Sequence, residues 1–377
     1  MQYHICLCSD NAYIDKAAVV IYSTILSISQ IQDRKKDFLV FHVFHNGLSN
    51  ENLQLIRQFD DELNQIYPSK IALYFISDEN IQNFKRWGEN SSLATYLRLF
   101  IPDNLGQDVD KILYLDCDIL CVGDIRPLFH ENMNSAVVAC APDPWVGQKD
   151  NFIFRSKKIF GIPVYLKFTK TNCYFNAGVL LIDLKKWREL KVSEKCLELI
   201  HTKRLPFNDQ DALNIVLLGK TKLIETRWNF IGTTNSTIFK EGLENCLSKK
   251  SSNITKLIEP LLTDINLDNI VIIHYAGSPK PWNNKFSFVE EGNLRLIDPI
   301  LQSEYCKIAK NAPIFGSKFS SISANQEEYI IEAVNALGKW TKSIEKKSQR
   351  RWKKVIIILT LLFFFLLMTI ILLLTNL

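Results

Sequence analysis

The stretch Lys111-Ile112-Leu113-Tyr114-Leu115-Asp116-Cys117-Asp118 runs from large apolar residues straight into two carboxylates. Ile112, Leu113, Tyr114 and Leu115 show no apolar–polar alternation, the pattern of a parallel-sheet strand covered on both faces. Asp116 and Asp118 stand at i and i+2, which puts both side chains on one face of an extended backbone. Two anions converging there repel unless a cation lies between them. The carboxyl end of a central strand is also where open α/β sheets bind ligands. A bare Asp-x-Asp can equally close a strand as turn and cap residues, so the rest of the chain has to decide.

Upstream, strands and helices alternate. Residues 3–8, 38–44 and 71–76 read as strands, and residues 17–29, 50–65 (after Ser49 as N-cap) and 92–100 as helices. With 111–115 this gives four strands alternating with helices, which argues for a parallel, helix-covered sheet of the α/β class. Asp10 and Tyr13 follow the first strand. A carboxylate there can accept from a base N–H or a ribose hydroxyl, and an aromatic ring can stack on a base. The chain has no Gly-x-Gly-x-x-Gly and no Gly-x-x-x-x-Gly-Lys-Ser/Thr. A nucleotide on this sheet therefore needs a metal, not a glycine loop, at its phosphates.

Downstream, more polar groups sit at element ends. Residues 136–141 form a strand running into Pro142-Asp143. Residues 174–183 form a long apolar strand interrupted by Asn176-Ala177-Gly178, where Asn and Gly imply close approach by a ligand or another backbone. Asn208-Asp209-Gln210-Asp211 opens a helix that closes at Gly219; its acids also suit the helix dipole, so capping is the plain alternative. Val271-Ile272-Ile273-His274 is an apolar strand ending in a histidine, followed by Gly277 and Lys280. Such a histidine is either structural or, with the glycine turn and the lysine, serves a metal and a phosphate together.

The chain's 377 residues, 47% of them hydrophobic, suffice for one large or two ordinary domains. Its net charge of +5 is uneven: residues 341–354 alone carry +6, so the remainder sums to −1. A nearly neutral body offers no nucleic-acid surface. Residues 355–374 follow, 20 residues without a charge, long enough to span a bilayer of about 30 Å. With Arg350, Arg351, Lys353 and Lys354 on the amino-terminal flank, the positive-inside rule expects a membrane anchor with a cytoplasmic body, and no signal peptide is seen at the start. The nine cysteines are odd in number, scattered, and without CxxC spacing, as expected of reduced, mostly buried thiols.

Together these pieces carry a resemblance. Cys-Ser-Asp-Asn-Ala-Tyr near the start, Tyr-Leu-Arg-Leu, Leu-Tyr-Leu-Asp-Cys-Asp, Phe-Asn-Ala-Gly-Val-Leu-Leu-Ile-Asp-Leu-Lys-Lys-Trp, Asn-Asp-Gln-Asp-Ala-Leu-Asn and His-Tyr-Ala-Gly-Ser-Pro-Lys-Pro-Trp follow one another over residues 3–285. The set resembles glycosyltransferase family 8, especially the bacterial lipopolysaccharide galactosyl- and glucosyltransferases. The resemblance implies a GT-A-type domain, a UDP-glucose or UDP-galactose donor, Mn²⁺, and retention of anomeric configuration. By similarity, Asp116, Asp118 and His274 ligate the metal, and Asp10 and Tyr13 hold uridine. Arg98, Asp143, Asn176, Asp209 and Gln210 face the sugar end, and Gly277 and Lys280 the diphosphate. The chain departs from the family in one place: the family often has Asn-Tyr after the loop aspartate, whereas here Ala12 precedes Tyr13 and Asn11 is shifted by one.

The chemistry is consistent with the residues. A divalent Lewis acid stabilises the charge on a leaving diphosphate. Two carboxylates and an imidazole suit Mn²⁺ better than Mg²⁺, and Lys280 adds a point charge. For retention, front-face transfer is expected, with the departing phosphate oxygen taking the acceptor proton and Gln210 supporting the oxocarbenium-like transition state. Asp209 as covalent nucleophile is the alternative.

Beyond residue 290 these motifs stop. Residues 291–325 read as irregular, with Pro299 and Pro313. Residues 326–345 read as an amphipathic helix with Ile330, Val334, Leu337, Trp340 and Ile344 on one face, packed on the body or lying on a membrane. The expected division is a catalytic domain at 1–290, a helical and basic juxtamembrane segment at 291–354, and an anchor at 355–374. That places the catalytic domain at the cytoplasmic face of a bacterial inner membrane, on a lipid-linked saccharide acceptor, with residues 145–170 as candidate acceptor lid. Two alternatives stay open: a self-glucosylating primer of the glycogenin type, and a non-catalytic membrane adaptor with a degenerate sugar-nucleotide domain.

Overall fold

Nearly every side chain of the motif strand is buried, and the two faces of the strand enter two different cores. In the computed structural model, Leu113 and Leu115 join one hydrophobic cluster and Ile112 and Tyr114 the other. The structure describes residues 1–31, 37–77, 92–144, 174–202, 205–231, 267–290 and 293–323. It also describes the backbone of 152–159, 162–168 and 233–235, and scattered residues within 79–84 and 325–350.

The strands are β1 (Gln2–Ser9), β2 (Phe38–His45), β3 (Ser69–Phe75), β4 (Lys111–Leu115), β5 (Ile119–Cys121), β6 (Val138–Pro142), β7 (Phe152–Ile159) and β8 (Ile162–Phe168). Then come β9 (Phe175–Asp183), β10 (Thr221–Leu223), β11 (Phe230–Ile231), β12 (Thr233–Asn235), β13 (Ile272–His274), β14 (Ser287–Glu290) and β15 (Asn293–Ile297). The helices are α1 (Ile14–Ser29), α2 (Asn50–Ile66), α3 (Ile101–Asn104), α4 (Leu184–Glu189), α5 (Val192–Thr202), α6 (Asn208–Val216) and α7 (Pro299–Lys310).

The chain divides into two compact units. The first comprises Met1–Gly232, Asp264–Ala276 and Ser303–Ile322. It holds a seven-stranded sheet in the order β10-β6-β9-β4-β1-β2-β3. The β1–β2, β2–β3, β1–β4 and β6–β10 pairs are parallel. Only β9 runs against its neighbours β4 and β6. The α/β class expected from the strand–helix alternation is the class found. The two-sided burial recurs along the sheet: Ile5 and Leu7 of β1 face one core while Cys6 and Cys8 face the other, and β9 splits Val179 and Leu181 from Leu180 and Ile182 in the same way. Ser49 caps α2 by accepting from Asn52 N–H at 3.2 Å. Residues 93–100 wind as a 3-10 helix, which Ser92 opens by accepting from Ala94 N–H.

A small second sheet in the same unit, β11-β13-β5, follows directly on the motif strand. β13 lies antiparallel to β5 with His274 opposite Ile119, Ile273 opposite Leu120 and Ile272 opposite Cys121. Cys6, Cys8, Cys117, Cys121, Cys140, Cys196 and Cys306 are buried free thiols, and burial pushes the Cys6 thiol far above its ordinary range.

The second unit gathers Thr233–Thr263, Gly277–Gln302 and Ser323–Leu377. It contains the antiparallel sheet β12-β15-β14. Ala333, Ala336 and Trp340 pack there with Phe286, Leu294 and Leu296, so the side of the 326–345 segment that bears Trp340 is covered by protein. Ile330, Val334, Leu337 and Ile344 lie outside the described residues.

Two expectations need correction. Residues 291–325 are not irregular: they hold β15 and α7. Pro299 reads as a breaker but stands at the start of α7, where its missing N–H costs nothing and its fixed φ suits the first turn. The expected localisation, a membrane-anchored protein with a cytoplasmic catalytic body, is also overturned. Among the described residues no helix is long and apolar enough to cross a membrane. α1 is apolar but has 16 residues, short of the roughly 20 a span requires. α2 has 17 and places Glu51, Arg57 and Glu62 on an exposed face. The stretch 355–374, read as the anchor, lies outside the described residues, as does most of the candidate lid 145–170 apart from the β7–β8 ribbon.

Candidate active site

The carboxyl end of β4 meets the end of β13. After Leu115 the chain turns through Asp116-Cys117-Asp118 and re-enters a strand at Ile119. The antiparallel β5–β13 register then fixes His274 beside the turn, with Tyr275 N–H donating to the Asp118 carbonyl at 2.8 Å. His274 Nε2 stands 3.1 Å from Asp118 Oδ1 and 3.9 Å from Asp116 Oδ2. Asp116, Asp118 and His274 each bring one ligand atom to within 4.8 Å of the others.

The two oxygens of Asp116 do different things. Oδ1 accepts from Tyr114 O–H at 2.7 Å and from Arg98 Nη2 at 2.8 Å, which leaves Oδ2 turned toward His274. Arg98 is 6% exposed and engaged on all three nitrogens. Besides Asp116, its Nε reaches Asp209 Oδ2 at 2.9 Å and its Nη1 donates to the Ala177 carbonyl. Burial opposes the guanidinium charge, but Asp116 and Asp209 outweigh it and raise its pKa. Burial pushes Asp209 up against the opposing pull of Arg98, and its Oδ1 accepts from Thr95 at 2.7 Å.

Next to this cluster lies an amide network. Gln210, in the first turn of α6, accepts from Ala177 N–H at 3.0 Å and donates to Asp143 Oδ2 at 3.2 Å. Asn176 Nδ2 lies 3.4 Å from Asp143 Oδ2 and 3.3 Å from Gln210 Oε1. Tyr174 O–H donates to Asp211 at 2.6 Å. Gly178 answers the expectation of close approach, but the neighbours are side chains: a Cβ there would lie 2.2 Å from His274 Cε1 and 2.9 Å from Asp116 Oδ2. Only a hydrogen at that position lets the imidazole and the carboxylate converge.

Asp10 and Tyr13 sit in the loop after β1. Asp10 Oδ1 accepts from Ala12 N–H and Tyr13 N–H, and its Oδ2 from the Ser92 hydroxyl. Burial, then the Asp118 and Asp10 charges, push the Tyr13 phenol up to about 12. The shifted Asn11 has a task of its own: its Oδ1 accepts from Ser49 N–H at 2.7 Å and from Asn52 Nδ2 at 2.8 Å, tying the loop to α2. Gly277, at φ +75, and Lys280 belong to the second unit. Of the residues predicted for the site, the first unit thus brings together Asp116, Asp118, His274, Arg98, Asp209, Gln210, Asn176 and Asp143.

The sequence profile of Glycosyl transferase family 8 matches residues 4–285. The chain belongs to this family. Among its curated relatives, a lipopolysaccharide 1,2-glucosyltransferase of Escherichia coli K12 is 31% identical over 280 residues, 73% of this chain and 71% of that protein. A lipopolysaccharide 1,3-galactosyltransferase of Salmonella typhimurium is 28% identical over 254 residues, 65% and 64% of the two chains. In fold the family 8 chain is similar to a crystal structure of the galactosyltransferase LgtC with donor and acceptor sugar analogues: TM-score 0.58, 21% identity, 82% of this chain and 96% of that one. The protein is therefore a glycosyltransferase with a GT-A-like α/β fold.

Whether a divalent cation fits can be judged from the donor set. Two carboxylate oxygens and an imidazole nitrogen lie within 4.8 Å of one another, and Gly178 keeps a fourth side chain from crowding His274 and Asp116. A set with two carboxylate oxygens and one imidazole nitrogen suits a divalent cation of the Mn²⁺ kind, which favours oxygen donors. The residues fit. Sequence reasoning gave no site role to Tyr114 and Asp211, although both lie inside quoted motifs, and missed Thr95, Tyr174 and Asn229, which contact site residues from outside them.

Proposed function

We propose that the chain is a retaining hexosyltransferase that moves glucose or galactose from a UDP-sugar to a lipid-linked saccharide of the lipopolysaccharide type, with Mn²⁺ held by Asp116, Asp118 and His274. The convergence of these three residues at the carboxyl end of β4 is the observation that carries the proposal. The names of the curated relatives support the acceptor class and leave glucose and galactose both open. Residues 1–290 form the catalytic domain in this reading, in keeping with the family match over 4–285.

A cation held there supplies Lewis-acid stabilisation of the departing diphosphate. The chain's own groups do the rest. Tyr13 and Asp10 take the uridine, Tyr13 by stacking and Asp10 by fixing the loop through its two backbone N–H bonds. Gly277 and Lys280 take the diphosphate. Buried Asp143 and Asn176, with half-buried Gln210, form a polar wall for the sugar. Arg98 anchors Asp116 and Asp209 in place. Both oxygens of Asp209 are occupied within the fold, by Arg98 and Thr95, which favours front-face transfer with Gln210 beside the anomeric centre over a covalent adduct on Asp209. The departing phosphate oxygen then takes the proton from the acceptor hydroxyl.

The test is UDP release from UDP-glucose and UDP-galactose, with Mn²⁺ and with EDTA, by wild type and Asp118→Ala. Slow hydrolysis of one donor, lost with EDTA and in the variant, is the expected result. Absence of both hydrolysis and binding for every UDP-sugar tried would sink the proposal.

A further inference from the structure

His274 offers Nε2 to the two aspartates, and the other ring nitrogen, Nδ1, meets Asn229 Oδ1 at 2.9 Å. Asn229 stands just before β11 and is 4% exposed. Its Nδ2 lies 3.0 Å from Asn176 Oδ1. Which atom of each amide is oxygen follows from a donor whose identity is certain. Gly178 N–H can only donate, and it reaches Asn176 at 3.0 Å. The Asn176 atom there is therefore the oxygen. The Asn229 atom facing that oxygen must be the NH₂ group, so its own oxygen faces the imidazole. An amide oxygen only accepts, so Nδ1 must carry the proton. In the neutral ring this leaves the lone pair on Nε2, aimed at Asp116 and Asp118.

We propose that Asn229 is the positioning residue that sets the metal-binding tautomer of His274, reading its orientation from the Gly178 backbone N–H through Asn176. The chain of bonds is Gly178 N–H to Asn176 Oδ1, Asn229 Nδ2 to the same oxygen, and His274 Nδ1–H to Asn229 Oδ1. Metal-bound histidines usually donate their second N–H to a fixed acceptor, and losing that acceptor lowers metal affinity about 10–100-fold. The same Asn176 also touches Asp143 and Gln210 through its Nδ2, so one amide serves both the cation side and the sugar side. This inference rests on the proposed cation site at Asp116, Asp118 and His274, but the tautomer it assigns can be observed without any metal.

The test uses the full chain as wild type, Asn229→Ala and Asn229→Asp, with Mn²⁺ alone as probe. Titration calorimetry gives the affinity, and nitrogen-15 spectra of the metal-free protein, taken at alkaline pH so that the ring is neutral, give the tautomer of His274. The wild type is expected to show Nδ1–H. Asn229→Ala is expected to lose about 10–100-fold in Mn²⁺ affinity and to move toward the Nε2–H form. Asn229→Asp keeps an acceptor at Nδ1 and is expected to stay within about threefold of wild type while losing the donor to Asn176; a purely structural role would make both variants fail alike. An Nε2–H tautomer in the wild type, unchanged affinity in Asn229→Ala, or equal loss in both variants would overturn the inference. A wild type with the Nδ1–H tautomer but no Mn²⁺ binding would overturn the cation site and leave the tautomer assignment standing.

Discussion

Gly178→Ala should disable the proposed cation site while sparing the fold. The added Cβ would stand 2.2 Å from His274 Cε1, 2.8 Å from its Nδ1 and 2.9 Å from Asp116 Oδ2, where ordinary contact begins at 3.4 Å. Restoring ordinary contact would take a retreat of about 1.2 Å by the imidazole. Strand β9 is tied down at this point on its β4 side, where the Gly178 carbonyl accepts from Asp116 N–H at 2.9 Å and Val179 pairs with Leu115. Metal ligands tolerate displacements of about 0.2 Å, so the required shift is roughly six times too large. It would also disturb the 2.9 Å contact between His274 Nδ1, itself 2.8 Å from the added Cβ, and Asn229. Overpacking of this kind costs about 1–3 kcal/mol of stability, which a domain of this size can survive. Mn²⁺ affinity, however, should fall at least about 100-fold, the upper end of what loss of a supporting contact produces. Calorimetric Mn²⁺ titration, beside circular dichroism to confirm folding, reads both effects. A folded Gly178→Ala protein that binds Mn²⁺ as wild type does would refute the reasoning.

Three further outcomes are expected. Arg98→Met leaves Asp209 buried without its counter-charge and should cost about 3–5 kcal/mol in urea unfolding at neutral pH; a loss under about 1 kcal/mol would mean that Arg98 contributes no net stabilisation. Burial, then neighbouring His4, depresses the His42 pKa from 6.5 to about 4. The unfolded chain therefore binds the extra proton first, and stability should be flat above about pH 7 and fall by up to roughly 3 kcal/mol between pH 6.5 and pH 4; a His42→Gln protein losing stability as steeply through that window would exclude this origin. Tyr13→Ala should raise KM for the UDP-sugar about 5- to 150-fold with kcat little changed, the equivalent of about 1–3 kcal/mol of base stacking, and a fall confined to kcat would remove Tyr13 from the uridine.

What the sequence discloses is what short-range patterns carry. The uninterrupted apolar run of Ile112 to Leu115 foretells burial on both faces, and the two aspartates behind it are visible as a pair because they are neighbours in the chain. Gly178 stands out because a glycine in a buried strand needs a reason. What it hides depends on partners far apart in sequence. Ile119 and His274 face each other across β5 and β13, yet nothing local to either segment announces that pairing, and β5 itself is too short to register. Arg98, assigned from sequence to the sugar end, is found bonded to Asp116, Asp209 and the Ala177 carbonyl, three groups from separate segments. Asn229 escapes notice for the same reason, as a single amide between an aromatic pair. Pro299 misleads in the other direction, since a proline is the same letter whether it breaks a helix or begins one.

The β5–β13 pairing also sets a clock on the protein's synthesis. Asp116 and Asp118 leave the ribosome with β1 to β4 already made, but His274 follows Asp118 by 156 residues. At about 5–20 residues per second, the two carboxylates wait on the order of 10–30 s for the imidazole that completes their set. A nascent chain stalled before residue 272 should carry most of the large sheet and yet be blind to Mn²⁺, so acquisition of the proposed metal binding would report the closing of β13 on β5, with β14, β15 and α7 still to follow.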